Sequence, residues 1–509
     1  MKYHKLTLYP DCKTISVAHG TLLSDILSEY NLQMPCAGRG VCGNCKVRVI
    51  KGTVAKNRRH KAVIERKHLD DSWYLACMSR IEDDIVIELP SNDMLINPGV
   101  TNPIAPCIES RHPAGIAVDL GSTTIVAQLI DLSTQQVIAS SEGINPQTSA
   151  GADIISRIAF AMKSPSNAQS LTDMTRKCIG DHIYRLLHNH IHVGNITGVI
   201  IAGNTAMHHF FAGLDVERLS CAPFCSLTNG SYSYSASQLG WDMLQESCKV
   251  ELLPNISHFV GSDILCGIQA CGIADSDEWQ MLIDLGTNGE IALGCRDSIF
   301  CTSTAAGPAF EGLNISCGMR ASAGAVYAIE HEDEGPKLLT VAGDKPRGFC
   351  GSGLIEAIEY LLSSAKIDFT GAFIDSETEL YSFAPDVYIS IQDIREFQLA
   401  KAALSAGVEL LLKEAGIEPS GLKTVYLTGG MGYHINLAKM QALGLFKDFE
   451  IGQFCKIVNS SLSGACANLR HTERNRIPEI LNRIKFCALE SDINFQEIFC
   501  REMFFSSIT

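Results

Sequence analysis

Met281-Leu282-Ile283-Asp284-Leu285-Gly286-Thr287-Asn288-Gly289-Glu290 is the stretch that decides the fold of this chain. An apolar run typical of a β-strand ends at a carboxylate, turns over two glycines and then continues as a second apolar run. Such a turn exposes consecutive backbone N–H groups, which suit the phosphates of a nucleotide. Asp284 would stand beside those phosphates, where a carboxylate oxygen holds Mg²⁺ directly or through water. An ordinary hairpin is the alternative for a single turn of this kind.

The same pattern occurs a second time, in Ile116-Ala117-Val118-Asp119-Leu120-Gly121-Ser122-Thr123-Thr124. Two copies of strand, Asp, Leu, Gly and a hydroxyl residue predict two similar lobes that face one nucleotide. A third glycine turn, Val425-Tyr426-Leu427-Thr428-Gly429-Gly430-Met431-Gly432, follows near the end of the chain. Because glycine lets the backbone approach a flat base or a ribose, Gly429 and Gly430 are predicted to contact the nucleoside.

Three further segments carry polar or glycine-rich turns. A buried strand ends at Gly203-Asn204-Thr205, which is predicted to line the cleft. Gly351-Ser352-Gly353 opens a helix, and the N-terminus of a helix suits an anion. The segment from Ala305 to Gly312 combines small residues with Gly-Pro and one glutamate, which is typical of a backbone-lined loop. Asp263 follows a strand and is predicted as either a helix N-cap or a cleft carboxylate.

In this order, the three turns resemble the actin-type ATPase (ASKHA) superfamily of acetate and sugar kinases, heat-shock chaperones and actin. The resemblance implies ATP and Mg²⁺ as cofactors, with three catalytic carboxylates: Asp119, Asp284 and Glu290. The residues predicted to bind the nucleotide are Gly121, Ser122, Thr123, Thr124, Asn204, Gly286, Thr287, Asn288, Gly289, Gly351, Ser352, Gly429 and Gly430.

The N-terminal part contains a cysteine-rich stretch that is predicted to form a loop, Cys36-Ala37-Gly38-Arg39-Gly40-Val41-Cys42-Gly43-Asn44-Cys45. A further thiol follows at Cys77. The glycines let backbone amides point at sulfur, and the distant thiol closes the cage that a 2Fe-2S cluster needs. Cys36, Cys42, Cys45 and Cys77 are therefore predicted as its ligands. A zinc site is the alternative, but the part lacks a second Cys-x-x-Cys. The segment resembles ferredoxins, and its first gap of five residues is that of the adrenodoxin-like proteins.

Composition limits the partners of the chain. A net charge of −15 over 509 residues argues against nucleic acid and anionic membranes. The apolar runs fall short of a bilayer span, and the N-terminus has no signal-peptide core, so a cytoplasmic location is expected. Twenty cysteines are unusual for a reducing cytosol and favour metal ligation or burial over disulfides. The basic stretch Lys56–Lys61 is interpreted as a solvated loop rather than a docking surface.

The predicted fold class is an α+β ferredoxin-like (β-grasp type) domain followed by a duplicated α/β actin-like ATPase domain. A segment rich in Pro and Asn separates the two, and it is predicted as either a flexible tether or a packed connector. The predicted boundaries are 1–92 for the 2Fe-2S domain, 93–112 for the linker, 113–275 for the first ATPase lobe and 276–509 for the second.

The whole combination resembles the reductive activators of corrinoid-dependent proteins. The motifs that carry this resemblance are Asp119 to Thr124, Gly203 to Thr205, Asp284 to Glu290, Ala305 to Gly312, Gly351 to Gly353, and Gly429-Gly430. It implies ATP-coupled, one-electron reduction of Co(II) to Co(I) on a corrinoid-bearing methyl-carrier protein. A low-potential electron-donor protein is the second expected partner, and a homodimer is left open.

Two other functions compete with this interpretation. One is a redox-gated ATP-binding interaction module that reduces no corrinoid. The other is an activator of radical dehydratases, a group that by resemblance shares a 4Fe-4S cluster between subunits. The four N-terminal cysteines speak against the second.

Overall fold

The structure is a computed structural model, and it describes residues 2–9, 13–27, 40, 45–52, 54, 56, 58–66, 72–88, 113–151, 153–188, 196–332, 335–432, 434–489 and 492–506. The predicted linker and the thiols of Cys36 and Cys42 lie outside these residues.

The N-terminal part forms a five-stranded sheet with the strand order β2-β1-β5-β3-β4. Its elements are β1 (Tyr3–Tyr9), β2 (Lys13–Ala18), α1 (Leu23–Leu27), β3 (Lys46–Lys51), α2 (Arg58–Arg66), β4 (Trp73–Leu75) and β5 (Ile85–Glu88). The hairpin β1–β2 is antiparallel, whereas β1 pairs with β5 in parallel. Alternating apolar residues of the strands face one buried core, as the period-2 pattern requires. This is the predicted β-grasp arrangement.

The basic stretch Lys56–Lys61 differs from its interpretation as a solvated loop. Helix α2 begins at Arg58, and the imidazole of His60 is fully buried. His60 Nε2 accepts a hydrogen bond of 3.2 Å from the backbone N–H of Leu75. Burial and the charge of Lys56 lower the pKa of His60 to about 4, so it is a neutral acceptor near pH 7. The loop interpretation is therefore wrong, because residues 58–61 are helical and His60 is a core residue, whereas Arg58, Arg59 and Lys61 are exposed to solvent as expected.

The first lobe is built on a six-stranded sheet with the order β10-β11-β9-β6-β7-β8. Its elements are β6 (Ala114–Leu120), β7 (Thr124–Asp131), β8 (Val137–Ile144), α3 (Ile154–Ala161), α4 (Pro165–His188), β9 (Ile196–Gly203), α5 (Thr205–Ala212), β10 (Tyr232–Ser235), β11 (Lys249–Leu252) and α6 (Ser262–Ala270). Strand β6 pairs antiparallel with β7 and parallel with β9, and its apolar run is almost wholly buried, as expected of a central strand.

The second lobe repeats this plan with the order β21-β20-β12-β13-β14-β22. Its strands are β12 (Gln280–Leu285), β13 (Gly289–Gly294), β14 (Ile299–Thr304), β15 (Ala325–Glu332), β16 (Gly335–Thr340), β17 (Gly348–Phe349), β18 (Leu380–Ala384), β19 (Val387–Ser390), β20 (Thr424–Thr428), β21 (Phe454–Lys456) and β22 (Ile484–Phe486). Its helices are α7 (Gly351–Ser363), α8 (Ile391–Ala415), α9 (Gly429–Gly432), α10 (Leu437–Ala442), α11 (Ser460–Ala467), α12 (His471–Arg474), α13 (Ile477–Arg483) and α14 (Phe495–Glu502).

The duplication places the two predicted phosphate turns at matching positions. Strand β12 pairs antiparallel with β13 and parallel with β20, just as β6 pairs with β7 and β9. Asp119 lies opposite Ala202 in the first parallel pair, and Asp284 lies opposite Thr428 in the second. Because the carboxyl ends of parallel strands meet at one sheet edge, each turn sits beside the residues that end the neighbouring strand.

Helices α6 and α11 cross in close contact between the two sheets. A methyl group added at Gly464 of α11 would collide with the backbone carbonyl of Cys266 in α6. One added at Gly267 would lie 3.0 Å from Ser460 Oγ. Glycine at position 464 therefore lets the two helix backbones touch, and glycine at position 267 leaves room for the side chain of Ser460.

Helix α8 has clear start and stop signals. The side chains of Ser390 and Asp393 accept hydrogen bonds from each other's backbone N–H groups, which forms a capping box. The helix ends before Gly416, which adopts φ 68°.

Helix α8 also buries a cation. Lys401 is fully buried, and its Nζ lies 3.9 Å from Oε2 of Glu502 in α14. Glu502 is closer to two other cations, at 3.1 Å from Arg501 and 3.2 Å from Lys447. The carboxylate thus stays paired without Lys401.

Candidate functional site

Two of the four predicted cluster ligands lie side by side in the N-terminal domain. Sγ of Cys45 is 3.2 Å from Sγ of Cys77, and both residues are buried, at 1 % and 8 % exposure. Gly40 lies close to the residue that follows Cys77, since an added methyl group there would lie 2.8 Å from Cγ of Met78. The sequence separates these thiols widely, and the pairing of β3 with β4 brings them together.

This thiol pair fits an iron site. Two thiolates on one tetrahedral metal, with metal–sulfur bonds of about 2.3 Å, lie roughly 3.7 Å apart. The observed 3.2 Å needs only a small side-chain rotation to reach that separation. Cys45 and Cys77 can therefore share one iron of a 2Fe-2S cluster, and the predicted ligands Cys36 and Cys42 would hold the other.

Two side chains hold the first phosphate turn, which follows β6, by hydrogen bonds to its backbone carbonyl groups. Asn145 donates a hydrogen bond of 2.9 Å to the carbonyl of Gly121. The fully buried Arg157 donates one of 2.5 Å to the carbonyl of Ser122. Burial lowers the pKa of Arg157 to about 10, so it keeps its charge near neutral pH. With its carbonyls engaged from below, this turn is free to present N–H groups and hydroxyls to the cleft.

Asp119 connects this first turn to the far end of the chain. Its two carboxylate oxygens accept hydrogen bonds of 2.7 Å from Asn459 Nδ2 and from Ser461 Oγ. Asn459 also caps α11 by accepting from the backbone N–H of Leu462. Burial raises the pKa of Asp119, and the two hydrogen bonds oppose that rise. Asp119 therefore holds the first lobe against the start of α11.

The second phosphate turn places Asp284 against the third glycine turn. Gly429 has φ +88°, and a methyl group there would collide with Oδ1 of Asp284 and lie 2.6 Å from the carbonyl of Leu285. Within the turn, the N–H of Gly286 donates to the carbonyl of Asn288 at 3.1 Å. Gly430 has open space beside it, since no described atom lies within 4 Å of an added methyl group.

Several carboxylates share the cleft, and each raises the pKa of its neighbours. Burial raises the pKa of Asp284 to about 8, with further contributions from Asp263, Asp119 and Glu311. Burial and Asp119 raise the pKa of Asp263 to about 7. Asp263 belongs to the first turn of α6, whose N-cap is Gly261, so it is a cleft carboxylate and not the cap. Repulsion of this kind is relieved by a divalent cation, which fits the predicted Mg²⁺.

Glu290 lies behind the second turn. It is the cross-strand partner of Asp284 and only 8 % exposed. Burial, together with Asp263 and Asp284, raises its pKa well above the usual range, while a hydrogen bond from Asn288 opposes the rise. Its predicted catalytic role stays a prediction, and this position suits a residue that supports Asp284.

Asn204 and Ser352 also have intramolecular partners. Asn204 Oδ1 accepts a hydrogen bond of 3.0 Å from the N–H of Met207, which caps α5. Ser352 stands in the first turn of α7, with its Oγ 3.3 Å from Sγ of Cys350. Contact of either residue with a nucleotide stays a prediction.

Sequence reasoning missed three polar residues of the cleft. Glu311 contacts both phosphate turns, and it appeared in the sequence only as one glutamate in a glycine-rich loop. Asn459 and Ser461 reach Asp119 from more than 300 positions away. An Asn before a short helix is an N-cap signal, but nothing local ties it to Asp119.

Comparison with known proteins identifies relatives over almost the whole chain. Residues 114–276 match the model described as the RACo middle region, and residues 278–509 match the C-terminal domain of RACo, the ASKHA domain. Residues 7–82 match the 2Fe-2S iron-sulfur cluster binding domain. Together, the two RACo models cover more than half of the chain.

Two curated relatives and one solved structure agree with these matches. The chain is 29% identical to the corrinoid activation enzyme RamQ of Eubacterium limosum, over 79% of this chain and 72% of the relative. It is 24% identical to a [Co(II) methylated amine-specific corrinoid protein] reductase of Methanosarcina barkeri, over 73% and 72%. A solved reductive activator for corrinoid,iron-sulfur protein superposes with a TM-score of 0.69 and 25% identity, covering 99% of both chains.

Proposed function

Since this chain belongs to the RACo-type reductive activators of corrinoid proteins, we propose that it reduces Co(II) to Co(I) on a corrinoid-bearing methyl-carrier protein, with one electron per event and at the expense of ATP. The observation that carries the proposal is that one chain joins a 2Fe-2S domain with a buried thiol pair to two lobes whose phosphate turns share a cleft.

The N-terminal domain serves the electron-transfer half of the reaction. A bound 2Fe-2S cluster supplies reversible one-electron chemistry at low potential. Cys45 and Cys77 hold one iron within the protein core, and burial of both thiols keeps water from that side of the site. Cys36 and Cys42 complete the proposed ligand set.

ATP is needed because the electron has to move uphill. Plant-type 2Fe-2S centres have reduction potentials of about −400 mV, and Co(I) is a stronger reductant than that. Each deficit of about 59 mV costs a factor of about ten in a one-electron equilibrium. A protein that binds nucleotide and corrinoid partner in linked conformations can supply the difference by altering the ligation of the cobalt.

Within the ATPase half, we assign the paired carboxylates Asp119 and Asp284 to Mg²⁺-ATP, with Glu290 behind them. The hydroxyl and glycine residues of the two turns would hold the phosphates, and Gly429-Gly430 would admit the nucleoside. Two positions support this assignment. The two turns follow matching strands of the two lobes, and Asp284 lies against Gly429.

The proposal includes partners and a domain division. The Methanosarcina relative is named for a methylated amine-specific corrinoid protein, so a methyl-carrier of that class is the partner to test first. A low-potential donor protein, a homodimer and a cytoplasmic location remain predictions.

The domain boundaries 1–92, 93–112, 113–275 and 276–509 are supported by the separate sheets. No described helix is long and apolar enough to cross a bilayer.

The test uses the full-length protein and a purified corrinoid carrier in its Co(II) state. With a low-potential reductant present, loss of the Co(II) spectrum is measured with ATP, without ATP, and with Asp284→Asn in place of the parent. We expect reduction that requires ATP and fails in Asp284→Asn. The same cobalt spectrum with and without ATP, once binding of the carrier has been shown separately, would favour a redox-gated interaction module.

A further inference from the structure

Glu311 lies between the two predicted phosphate turns and contacts one residue of each. One carboxylate oxygen accepts a hydrogen bond of 2.9 Å from Thr287 Oγ1 of the second turn. The other accepts one of 3.4 Å from Thr123 Oγ1 of the first turn. Glu311 thus accepts a hydrogen bond from a hydroxyl group of each turn. The sequence predicted no residue that joins the two turns in this way.

The neighbours of Glu311 hold it firmly in this place. Phe310 is buried and packs edge-on against Phe397 of α8, with ring centroids 5.7 Å apart. Gly312 has φ +71°, and a methyl group there would lie 2.7 Å from the carbonyl of Met319 and 3.4 Å from the N–H of Gly351. The loop is therefore wedged between α8 and the start of α7, which gives Glu311 the rigid support that a reacting group needs.

The charge of Glu311 limits what it can do beside a phosphate. A carboxylate repels phosphate oxygens, so it can face a nucleotide only through hydrogen donors. Each threonine hydroxyl has a single proton, which it donates to Glu311, whereas a water molecule has two protons and can bridge the carboxylate and a phosphate oxygen. A water held by Glu311 between the turns would stand next to the terminal phosphate.

We propose that Glu311 is a catalytic residue of ATP hydrolysis, which orients the attacking water and accepts its proton. The water oxygen forms a bond to the γ-phosphorus, and the bond from that phosphorus to the β–γ bridging oxygen breaks. The proton of the water passes to Glu311, and ADP and phosphate leave. The inference rests on the nucleotide site of the proposed function.

The electrostatic setting supports this assignment. Burial raises the pKa of Glu311, which makes the carboxylate a better base. The hydrogen bond from Thr287 and the charges of Arg320 and Arg157 oppose the rise. Arg320 is largely buried and places its positive charge near Glu311.

Glu311→Gln is the decisive variant, because an amide keeps hydrogen bonds to both threonine hydroxyls but cannot take a proton. The full-length protein is assayed for kcat and KM of Mg-ATP hydrolysis from pH 5 to 9, and a fluorescent ATP analogue measures nucleotide affinity. We expect kcat to fall by a factor of about 10² to 10³, with affinity held within about threefold. The acidic limb of the pH profile should disappear as well.

Two further variants separate a base from a simple latch between the turns. Glu311→Asp keeps a carboxylate and should retain the acidic limb at a reduced rate. Glu330→Gln removes a half-exposed carboxylate that pairs with Lys337, and it should match the parent in every measurement. A Glu311→Gln protein that hydrolyses ATP within about threefold of the parent rate would overturn the inference. Parallel losses of rate and affinity would also overturn it, because they indicate a latch.

The proposed function can fail separately from this inference. If the parent binds no ATP analogue, the nucleotide site itself is wrong and both ideas fall. If the parent binds and hydrolyses ATP but Glu311→Gln does so equally well, only the role of Glu311 is refuted.

Discussion

Replacing Gly429 by alanine tests the contact between the second phosphate turn and the third glycine turn. The backbone of Gly429 has φ +88°, a conformation that residues with a Cβ atom rarely adopt. The new methyl group would collide with Oδ1 of Asp284 and lie 2.6 Å from the carbonyl of Leu285, whereas real Cβ atoms essentially never approach within 3.0 Å. The backbone or Asp284 must therefore move.

The loss of folding stability in Gly429→Ala has two sources, the left-handed backbone conformation and the steric collision. The left-handed conformation costs alanine about 1–2 kcal/mol. Overpacking against β12 adds about 1–3 kcal/mol, since a carbonyl cannot turn aside as a flexible side chain can. A loss of about 2–5 kcal/mol corresponds to a fall of roughly 5–15 °C in the Tm of the lobe. Displacement of Asp284 should also weaken Mg-ATP binding by a factor of about ten or more, which is about 1.4 kcal/mol.

The neighbouring glycine gives a matched control. Gly430→Ala adds the same methyl group within α9 where no described atom outside the neighbouring backbone lies within 4 Å, so its Tm should be no lower than that of the parent. Thermal unfolding followed by circular dichroism and titration with an ATP analogue would be run on both variants. Equal Tm values for Gly429→Ala and Gly430→Ala would refute the reasoning, because the close approach to Asp284 would then have no consequence.

Three other predictions concern the cluster ligands, the contact of Asn459 with Asp119, and the buried Lys401. Cys45→Ser and Cys77→Ser should each lower bound iron and the visible absorption of the protein, and full iron retention in either variant would remove that residue from the ligand set. Asn459→Ala removes one hydrogen bond to Asp119 and the cap of α11, so we expect a loss of about 1–2 kcal/mol in unfolding free energy. Burial lowers the pKa of Lys401 from 10.5 to about 8, so the folded chain binds this proton less well than the unfolded chain does. Lys401→Met should therefore stabilise by about 3 kcal/mol below pH 8, and this gain should vanish as the pH rises towards 10.5.

The sequence allowed the architecture to be predicted because its signals are local. Asp119 and Asp284 each end an apolar run and precede a glycine turn, and the structure places both at the ends of equivalent central strands. The β-grasp and actin-like folds and the family resemblance are confirmed by the sheets and by the matching families.

The contacts across the cleft could not be predicted, because they depend on tertiary geometry. Asn459 and Asp119 are 340 positions apart, and Glu311 and Thr123 are 188 apart. Neither pair leaves a periodic or motif-like trace in the chain. His60 shows the same limit at short range, because a histidine within a basic run gives no sign that the fold buries it.

The contact of α6 with α11 determines how the two lobes can move relative to each other. Because the backbone of Gly464 lies against the carbonyl of Cys266, sliding of one helix along the other would bring these atoms into collision, and we expect the lobes to rotate about the crossing as a pivot. Asp263 and Asn459 stand at the N-terminal ends of these helices, close to the pivot, where the nucleotide phosphates are proposed to bind. For a given rotation, the sheet edges farthest from the crossing would move the greatest distance. A small rotation caused by binding of the nucleotide phosphates would therefore produce a larger displacement at those edges, and this displacement would change the surface that a bound protein contacts.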